Sequence, residues 1–213
     1  MAIIQETFPV GPFQCNCVIL GCPETKEAIV IDPGDEMDKI LLALAKHGLK
    51  VKAIVHTHAH IDHIGGVNPL QKATNAPVYV HSEDLFLYNH ADMQASFLGI
   101  SIPPVIPVDR YLKDGEALPF GKLQGEVIET PGHTPGSVTF RIPVEGEADR
   151  LFTGDTLFYG SIGRTDLWGG SLETIMKSIH QRLLSFPDET LVYPGHGPAT
   201  TIGQERRSNP FLR

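Results

Sequence analysis

The chain has little cysteine and no long apolar run, and each shortage excludes a class of protein. Three cysteines occur among its 213 residues, all in the first tenth of the chain, at Cys15, Cys17 and Cys22. An odd and clustered set of this kind is not a disulfide framework and is typical of a reducing compartment, so we expect a cytoplasmic protein. No stretch approaches the ~20 consecutive apolar residues of a membrane-spanning helix, so we expect no membrane partner.

Positive charge is scarce as well. The chain has 17 Lys and Arg residues against 25 Asp and Glu, which gives a formal net charge of −8. An acidic surface disfavours non-specific binding to a phosphate backbone, so we expect no nucleic-acid partner. Residues 1–6 contain no basic segment of the kind that begins a secretory signal. The apolar share of 41% and the charged share of 20% exclude a disordered chain.

Short apolar strands alternate with helical patterns along the chain. Strands are predicted at residues 16–20, 28–31, 51–55, 77–80, 126–129, 137–142, 150–153 and 190–193. Helices are predicted from a cap at Asp35 to a stop at Gly48, at 67–76, from a cap at Ser82 to about His90, and from Ser171 to Leu183. The Pro- and Gly-rich residues 93–115 are predicted to form a surface connection. Because no low-complexity linker divides the chain, we expect a single domain over residues 1–213.

The densest chemical signal directly follows one of the predicted apolar strands. Four potential metal ligands fall within six residues: His58, His60, Asp62 and His63. In an extended backbone, side chains two residues apart share a face, so His58 and His60 can reach one point. Asp62 and His63 follow in the turn, where the chain can aim them at a neighbouring point. Imidazole and carboxylate groups suit Zn, Fe or Mn, so this segment predicts a metal site.

Three further candidate ligands lie at junctions between a predicted strand and a turn. They are His133 in the segment 130–136, Asp155 after Gly154, and His196 after Gly195. Each is flanked by glycine or proline, which fixes the turn and lets the backbone approach a ligand closely. Together with the first four, these residues predict a metal site built from several parts of the chain.

The motif His-x-His-x-Asp-His at residues 58–63, followed in order by His133, Asp155 and His196, resembles the metallo-β-lactamase superfamily. The resemblance covers essentially the whole chain. It implies one metallo-β-lactamase-like domain of the α/β class, an αββα sandwich with the metal site at one edge.

The same resemblance implies a ligand assignment for two divalent metal ions, zinc as the first choice and iron or manganese as alternatives. One ion is bound by His58, His60 and His133, the second by Asp62, His63 and His196, and Asp155 bridges the two. Asp62 is also expected to act as a catalytic residue that orients the attacking hydroxide.

Two short segments narrow the resemblance within the superfamily. Gly-Arg-Thr-Asp at 163–166 and Asn-Pro-Phe at 209–211 are most similar to the short glyoxalase II-like hydrolases, also called hydroxyacylglutathione hydrolase-like enzymes. The resemblance implies that a metal-bound hydroxide cleaves S-D-lactoylglutathione or a related small acyl thioester. Arg164 is the candidate anchor for an anionic substrate because its fork suits a carboxylate, and an ion pair with Asp166 is the alternative. Tyr159 is a second, weaker candidate for substrate binding.

Two other activities of the superfamily are alternatives. The segment 163–166 also resembles the persulfide dioxygenases, in which His58, His133 and Asp155 would hold a single iron. A nucleic-acid phosphodiesterase is less favoured, because the arginines at 206, 207 and 213 form only a short basic tail. The metal identity, the thiol carrier, the acyl group and the oligomeric state are left open by the sequence.

Overall fold

The computed structural model describes residues 2–213, which fold into two six-stranded mixed sheets. The first sheet contains, in spatial order, β1 (Ile4–Val10), β2 (Cys15–Gly21), β3 (Glu27–Ile31), β4 (Lys50–Val55), β5 (Val78–His81) and β6 (Arg110–Leu112). Strands β1 to β3 pair antiparallel, whereas β3 to β6 pair parallel. The parallel half therefore brings the carboxyl ends of β3 and β4 to one edge of the sheet.

The second sheet follows in the chain. Its strands are β7 (Ala117–Phe120), β8 (Leu123–Glu129), β9 (Val138–Ile142), β10 (Arg150–Gly154), β13 (Leu191–Pro194) and β14 (Thr200–Thr201). They lie in the order β14-β13-β10-β9-β8-β7, and only β10 and β13 pair parallel. Two short strands, β11 (Leu157–Phe158) and β12 (Ser161–Ile162), form a separate antiparallel pair.

Helices cover the outer face of each sheet. Those packed on the first sheet are α1 (Met37–His47), α2 (Ile61–Ile64), α3 (Val67–Thr74), α4 (Leu85–Asn89) and α5 (Ala91–Leu98). Those on the second are α6 (Leu172–Ser178), which continues as a π-helical turn over Ile179–Leu183, and α7 (Ile202–Ser208). Short 3-10 turns occur at Ser82–Asp84 and Pro210–Leu212. No helix within residues 2–213 is long and apolar enough to cross a membrane.

Three apolar cores hold these four layers together. In β2, Cys17 and Ile19 point into the core under the helices, while Val18 and Leu20 point into the core between the sheets. Both faces of the strand are therefore buried, which is why its sequence is almost continuously apolar. The core between the sheets is completed by Phe140 of β9 and neighbouring side chains. The layer order helix, sheet, sheet, helix confirms the predicted αββα sandwich.

Of four residues predicted to begin or end a helix, two agree with the structure and two do not. Gly48 adopts the left-handed conformation, φ 64°, and ends α1 as predicted. Ser171 caps α6 by accepting a hydrogen bond from the backbone N–H of Thr174. The Asp35 cap was wrong: Glu36, with φ 52°, precedes α1 and makes no side-chain cap. The Ser82 cap was also wrong, since the His81 side chain accepts from the N–H of Glu83 and a 3-10 turn precedes α4.

The predicted surface connection over 93–115 was wrong in part. Residues up to Leu98 belong to α5, and β6 pairs with β5 inside the same segment. The sequence reading also missed β1, β7 and α7. Strands β1 and β7 lie at sheet edges and carry alternating exposed residues. Pairing with a neighbouring strand stabilises them more than their own apolar content does.

Candidate metal centre

Seven side chains converge at one edge of the sandwich, where strands of both sheets end. The loop after β4 and the short helix α2 carry four of them, and the turns after β8, β10 and β13 carry one each. We call this set the His/Asp centre; its members are His58, His60, Asp62, His63, His133, Asp155 and His196. The structure therefore brings together all seven residues that the sequence singled out as candidate ligands.

Within the His/Asp centre, ligand atoms form three groups in which all atoms lie within 4.8 Å of one another. The groups are His58, His60 and His133; His58, His63 and Asp155; and Asp62, His63 and His196. The first and the third match the two predicted ligand sets, and the second connects them through Asp155. The arrangement can therefore accommodate two adjacent cations.

Asp155 lies between the other two groups. Its Oδ1 is 3.5 Å from Nε2 of His63, and its Oδ2 is 3.6 Å from Nε2 of His133 and 3.6 Å from Nε2 of His196. A Cβ atom on Gly195 would lie 2.2 Å from Oδ1 of Asp155, so only glycine allows this close approach. The glycine of the Pro-Gly-His turn thus makes room for the carboxylate.

The polar atoms of the His/Asp centre fit a metal. Within the described residues, Nε2 of His58, Nε2 of His63 and Oδ1 of Asp155 are buried and have no hydrogen-bond partner. Each such orphaned group costs on the order of 1–3 kcal/mol. Nδ1 of His60 and Nε2 of His133 lie 2.8 Å apart and face each other. A bound cation satisfies such lone pairs, and imidazole with carboxylate is a donor set for Zn, Fe or Mn.

The charge state differs between the two predicted ligand sets. Burial lowers the pKa of His58 well below its usual range, and burial with the neighbouring His133 lowers the pKa of His60 to about 3. In the other set, burial lowers the pKa of His63 and His196. The neighbouring Cys15 and the carboxylates of Asp62, Asp155 and Asp32 raise the pKa of His63 by more than burial lowers it, and Asp62 and Asp155 do the same for His196. His58 and His60 are therefore ready to bind a cation, whereas His63 and His196 must release protons to do so.

Asp32 holds one imidazole of the centre in place, and the sequence reading missed it. It directly follows β3, is buried, and its carboxylate accepts hydrogen bonds from the N–H of Thr57 at 2.8 Å and the hydroxyl of Thr57 at 2.6 Å. Nδ1 of His63 donates to Asp32 at 3.0 Å, which leaves Nε2 of His63 facing Asp62 and Asp155. The sequence predicts only a strand over residues 28–31, directly before Asp32.

Asp84 joins the two ligand-bearing loops and was also missed. Its carboxylate accepts from the N–H of Ala59 at 2.9 Å, the N–H of Gly136 at 2.6 Å and the hydroxyl of Thr134 at 2.8 Å. A Cβ atom on Gly136 would lie 2.7 Å from the backbone nitrogen of Asp84, so glycine is required there. This buried carboxylate fixes the loop of His60 against the loop of His133. No spacing signature in the sequence pointed to it.

The His/Asp centre forms the floor of a cavity of about 240 Å³. The lining includes His60, Asp62, His133 and Asp155, and it continues over apolar side chains to the surface. Two other cavities are larger, at about 440 and 470 Å³, but no member of the His/Asp centre lines either of them. The substrate site is therefore expected at the smaller cavity.

The two predicted substrate contacts have different positions. Arg164 lines the cavity, and its guanidinium makes two hydrogen bonds to the carboxylate of Asp166, at 2.7 and 2.8 Å. Its backbone carbonyl accepts a hydrogen bond from Nδ1 of His133 at 2.8 Å, a role that the sequence did not indicate. Tyr159 is exposed and does not belong to the lining of this cavity.

Comparison with known proteins places this geometry in a family. Residues 10–196 match the family described as the metallo-beta-lactamase superfamily. "Probable metallo-hydrolase YqgX" of Bacillus subtilis is 40% identical over 206 residues, 96% of this chain and 95% of that protein. Hydroxyacylglutathione hydrolase GloC of Haemophilus influenzae is 39% identical over 209 residues, 97% of each chain.

Solved structures show the same similarity. BLEG-1 B3 metallo-beta-lactamase superposes with a TM-score of 0.88 at 39% identity, covering 98% of this chain and 99% of that one. TTHA1623 in a di-iron-bound form gives 0.86 at 47% identity, covering 96% and 98%. ETHE1 from Myxococcus xanthus gives 0.78 at 29% identity, covering 99% and 84%.

Proposed function

The chain belongs to the metallo-β-lactamase superfamily, and we propose that it is a metal-dependent hydrolase that cleaves small acyl thioesters in the manner of glyoxalase II. The observation that carries the proposal is the His/Asp centre, in which two ligand sets share Asp155 at the floor of an open cavity. The similarity to a relative named hydroxyacylglutathione hydrolase supports the substrate class. S-D-lactoylglutathione is therefore the first substrate to test.

The two ligand sets would each hold one divalent ion. His58, His60 and His133 would bind the first, Asp62, His63 and His196 the second, and Asp155 would contact both. Zinc is our first choice, with iron or manganese as alternatives; the di-iron form of the neighbour TTHA1623 supports iron. When bound, such ions lower the pKa of a shared water towards ~7 and polarise the carbonyl of the substrate.

The residues of the chain supply orientation and hydrogen bonding. Burial raises the pKa of Asp62, but His63 and His196 lower it by more, so the carboxylate is ionised and can accept a hydrogen bond from the attacking water. Asp62 lines the cavity and lies 3.1 Å from Nε2 of His196, which fixes its direction. Asp32 and the carbonyl of Arg164 hold His63 and His133 in their orientations.

The leaving group distinguishes a thioester from other acyl substrates. Hydrolysis forms a carbon–oxygen bond from water and breaks the carbon–sulfur bond, and the departing thiolate is stable without a proton donor. Outside the His/Asp centre, the described lining residues include no side chain that would protonate a leaving group near neutral pH; Gln94 and Arg164 are the polar ones. This favours a thiolate over the amine that departs from a β-lactam ring, which the name of the BLEG-1 neighbour suggests as a second substrate.

A mono-iron persulfide dioxygenase is the alternative chemistry. It would need only His58, His133 and Asp155, with the other positions open to oxygen and substrate. The convergence of Asp62, His63 and His196 on a second point favours the hydrolase, because a single iron held by His58, His133 and Asp155 would leave these three residues without a metal to bind.

We also propose that the protein works in a reducing, cytoplasmic compartment on a small molecule, without a nucleic-acid or membrane partner. Cys15, Cys17 and Cys22 are all free and buried, as is typical of a compartment that keeps thiols reduced. The net charge of −8 supports the absence of a nucleic-acid partner.

One experiment tests the proposed chemistry. Purified protein is analysed for metal and then assayed in parallel for thiol release from S-D-lactoylglutathione, oxygen uptake with glutathione persulfide, and opening of a chromogenic β-lactam. We expect two metal ions per chain, thiol release without oxygen uptake, and loss of activity in a chelated sample that reloading restores. A single iron with oxygen uptake on the persulfide would overturn the hydrolase, and β-lactam opening alone would overturn the thioesterase.

A further inference from the structure

Resting on the proposed function, we propose that this hydrolase selects thioesters whose acyl group is apolar, and that Phe97 and Trp168 determine this specificity. The two residues lie far apart in the sequence, on α5 and in the loop before α6. Their rings meet at the mouth of the cavity above the His/Asp centre, with centroids 5.6 Å apart and an interplanar angle of 66°.

The mouth is apolar on several sides. We call its apolar side chains the apolar wall; they are Phe13, Phe97, Leu98, Leu167 and Trp168. Phe13 comes from the turn between β1 and β2, so three separate parts of the fold contribute to the wall. A contiguous apolar surface that three elements build together marks a binding site more often than chance exposure does.

The exposed apolar side chains of this protein are concentrated at the apolar wall. Among residues 2–213, eleven large apolar side chains are exposed, and four of them line this one cavity: Phe13, Phe97, Leu98 and Trp168. Phe97 is 68% exposed and Trp168 is 37% exposed, so neither is held in a core. Covering them with an apolar group is favourable by about 25 cal/mol per Å² removed from water.

Charge at the cavity mouth does not favour an anionic group. Arg164 is the one permanently cationic side chain in the described lining, and Asp166 neutralises it through two hydrogen bonds. An adjoining recess of about 120 Å³ shares Phe13 and Asp62 with the cavity, and the described residues that line it include Asp35 but no lysine or arginine. An apolar substituent therefore matches the mouth better than a carboxylate does.

The position of the apolar wall indicates that it contacts the acyl group of the substrate. Leu167 and Trp168 follow closely after Arg164, whose carbonyl accepts the hydrogen bond from Nδ1 of His133. The wall thus begins next to the His/Asp centre, where the reacting carbonyl must lie. That carbonyl carries the acyl group on one side and the thiol carrier on the other, and a glutathione carrier is polar and anionic, so the acyl group is the part of the substrate that matches an apolar wall. At about 240 Å³, the cavity is large enough for a medium-length alkyl or an aryl group.

The test uses thioesters that differ only in the acyl group. Lactoyl, butanoyl, hexanoyl and benzoyl thioesters of one uncharged carrier, N-acetylcysteamine, are compared by kcat/KM with the metal-loaded protein. The variants are Trp168→Ala, Phe97→Ala and the double variant. Tyr111→Ala is the matched control, because Tyr111 is an exposed aromatic residue on β6 outside the cavity lining.

We expect kcat/KM to be about tenfold or more higher for hexanoyl than for lactoyl thioester. Trp168→Ala should lower the hexanoyl value by roughly tenfold and the lactoyl value by less than about threefold, at unchanged metal content. The Tyr111→Ala control should match the unmodified protein on every substrate. The double variant should lose the hexanoyl preference altogether.

Equal rates on lactoyl and hexanoyl thioesters would overturn the inference and leave the proposed function intact. A Trp168→Ala loss of the same size on all acyl groups would overturn it as well, since the residue would then act on the fold or the carrier. A separate series with hexanoyl on glutathione and on N-acetylcysteamine must show the variant effect on both carriers; an effect confined to one carrier contradicts acyl selection. If the metal-loaded protein hydrolyses no thioester at all, the proposed function itself fails.

Discussion

The carboxylate of Asp32 lies 3.0 Å from Nδ1 of His63, and this contact decides which ring nitrogen of His63 faces the His/Asp centre. Asp32 is held in turn by Thr57, whose backbone N–H and hydroxyl both donate to it. Sγ of Cys15 lies 3.4 Å from the same Nδ1, so the ring is bounded on that side by a thiol and a carboxylate. A strand end in the first sheet thereby orients a candidate ligand of the second set.

The first prediction removes the charge of this contact. Asp32→Asn keeps the shape of the side chain but no longer accepts a charge-assisted hydrogen bond from Nδ1 of His63. We expect metal affinity at the second ligand set to fall about 10- to 100-fold, the range typical of lost outer-shell partners. Competition with a chromophoric chelator measures it. Asp38→Asn, on the exposed start of α1, is the matched control, and an unchanged affinity in Asp32→Asn would contradict the orienting role.

The second prediction concerns the shared carboxylate. Asp155 lies near both ligand sets, whereas Asp62 belongs to one of them only. We therefore expect Asp155→Ala to lower metal content at both sets, and Asp62→Ala to lose the second ion while keeping the first. Elemental analysis of both variants, dialysed side by side, distinguishes these results. Normal metal content and turnover in Asp155→Ala would refute a bridging role.

Much of the fold and of the candidate site could be predicted from local sequence. Strands β2 and β3 and the second half of β4 are buried on both faces, so their apolar composition alone predicted them as strands. The candidate ligands stood out because several histidines and aspartates lie beside Gly and Pro turns. Such turns are formed by neighbouring residues, so the residue types alone predict where the turns and the candidate ligands lie.

The residues that the sequence did not reveal act through contacts between distant segments. Asp32 and Asp84 are single carboxylates whose partners lie 25 to 52 positions away, and no spacing rule marks them. Phe97 and Trp168 meet only because α5 and the loop before α6 fold over the same cavity. Strand β6 was hidden in a Pro-rich segment because pairing with β5, rather than its own composition, defines it.

The third prediction follows from the charge states of the two ligand sets. Burial lowers the pKa of His58 and His60, so they bind a cation at neutral pH without losing protons. Cys15 and the surrounding carboxylates raise the pKa of His63, and Asp62 and Asp155 raise that of His196, so metal binding there must displace protons. Calorimetric metal titrations in two buffers of different ionisation enthalpy should show about one or more protons released with the second ion and fewer with the first.

The sign of the pH effect follows from this difference. Raising the pH removes the competing protons, so affinity for the second ion should rise with pH around neutrality more steeply than affinity for the first. His196→Ala serves as the comparison, because it lacks a ligand of the second set and should lose the second binding step together with the proton release that accompanies it. Equal proton release at both steps would contradict the assignment of these charge states.

The fourth prediction frees the one cationic side chain of the cavity. The hydrogen bond from Arg164 holds the pKa of Asp166 at about 2, so the pair stays charged and closed at any working pH. In Asp166→Asn the guanidinium loses its carboxylate partner and remains in the cavity lining. We expect KM for S-D-lactoylglutathione, whose carrier is anionic, to fall about two- to fivefold at low salt, because a guanidinium binds a free carboxylate well.

Varying the ionic strength and the charge of the carrier distinguishes this lower KM from a change in the fold. The gain should disappear at high ionic strength, since the new contact is exposed and screened, and it should be absent for the uncharged N-acetylcysteamine thioester. Glu173→Gln is the matched control, because it breaks another exposed ion pair, with Lys177 on α6, outside the cavity lining. A KM for S-D-lactoylglutathione that stays the same in Asp166→Asn would show that Arg164 does not reach the anionic carrier. Its contribution to the site would then be confined to the backbone carbonyl that orients His133.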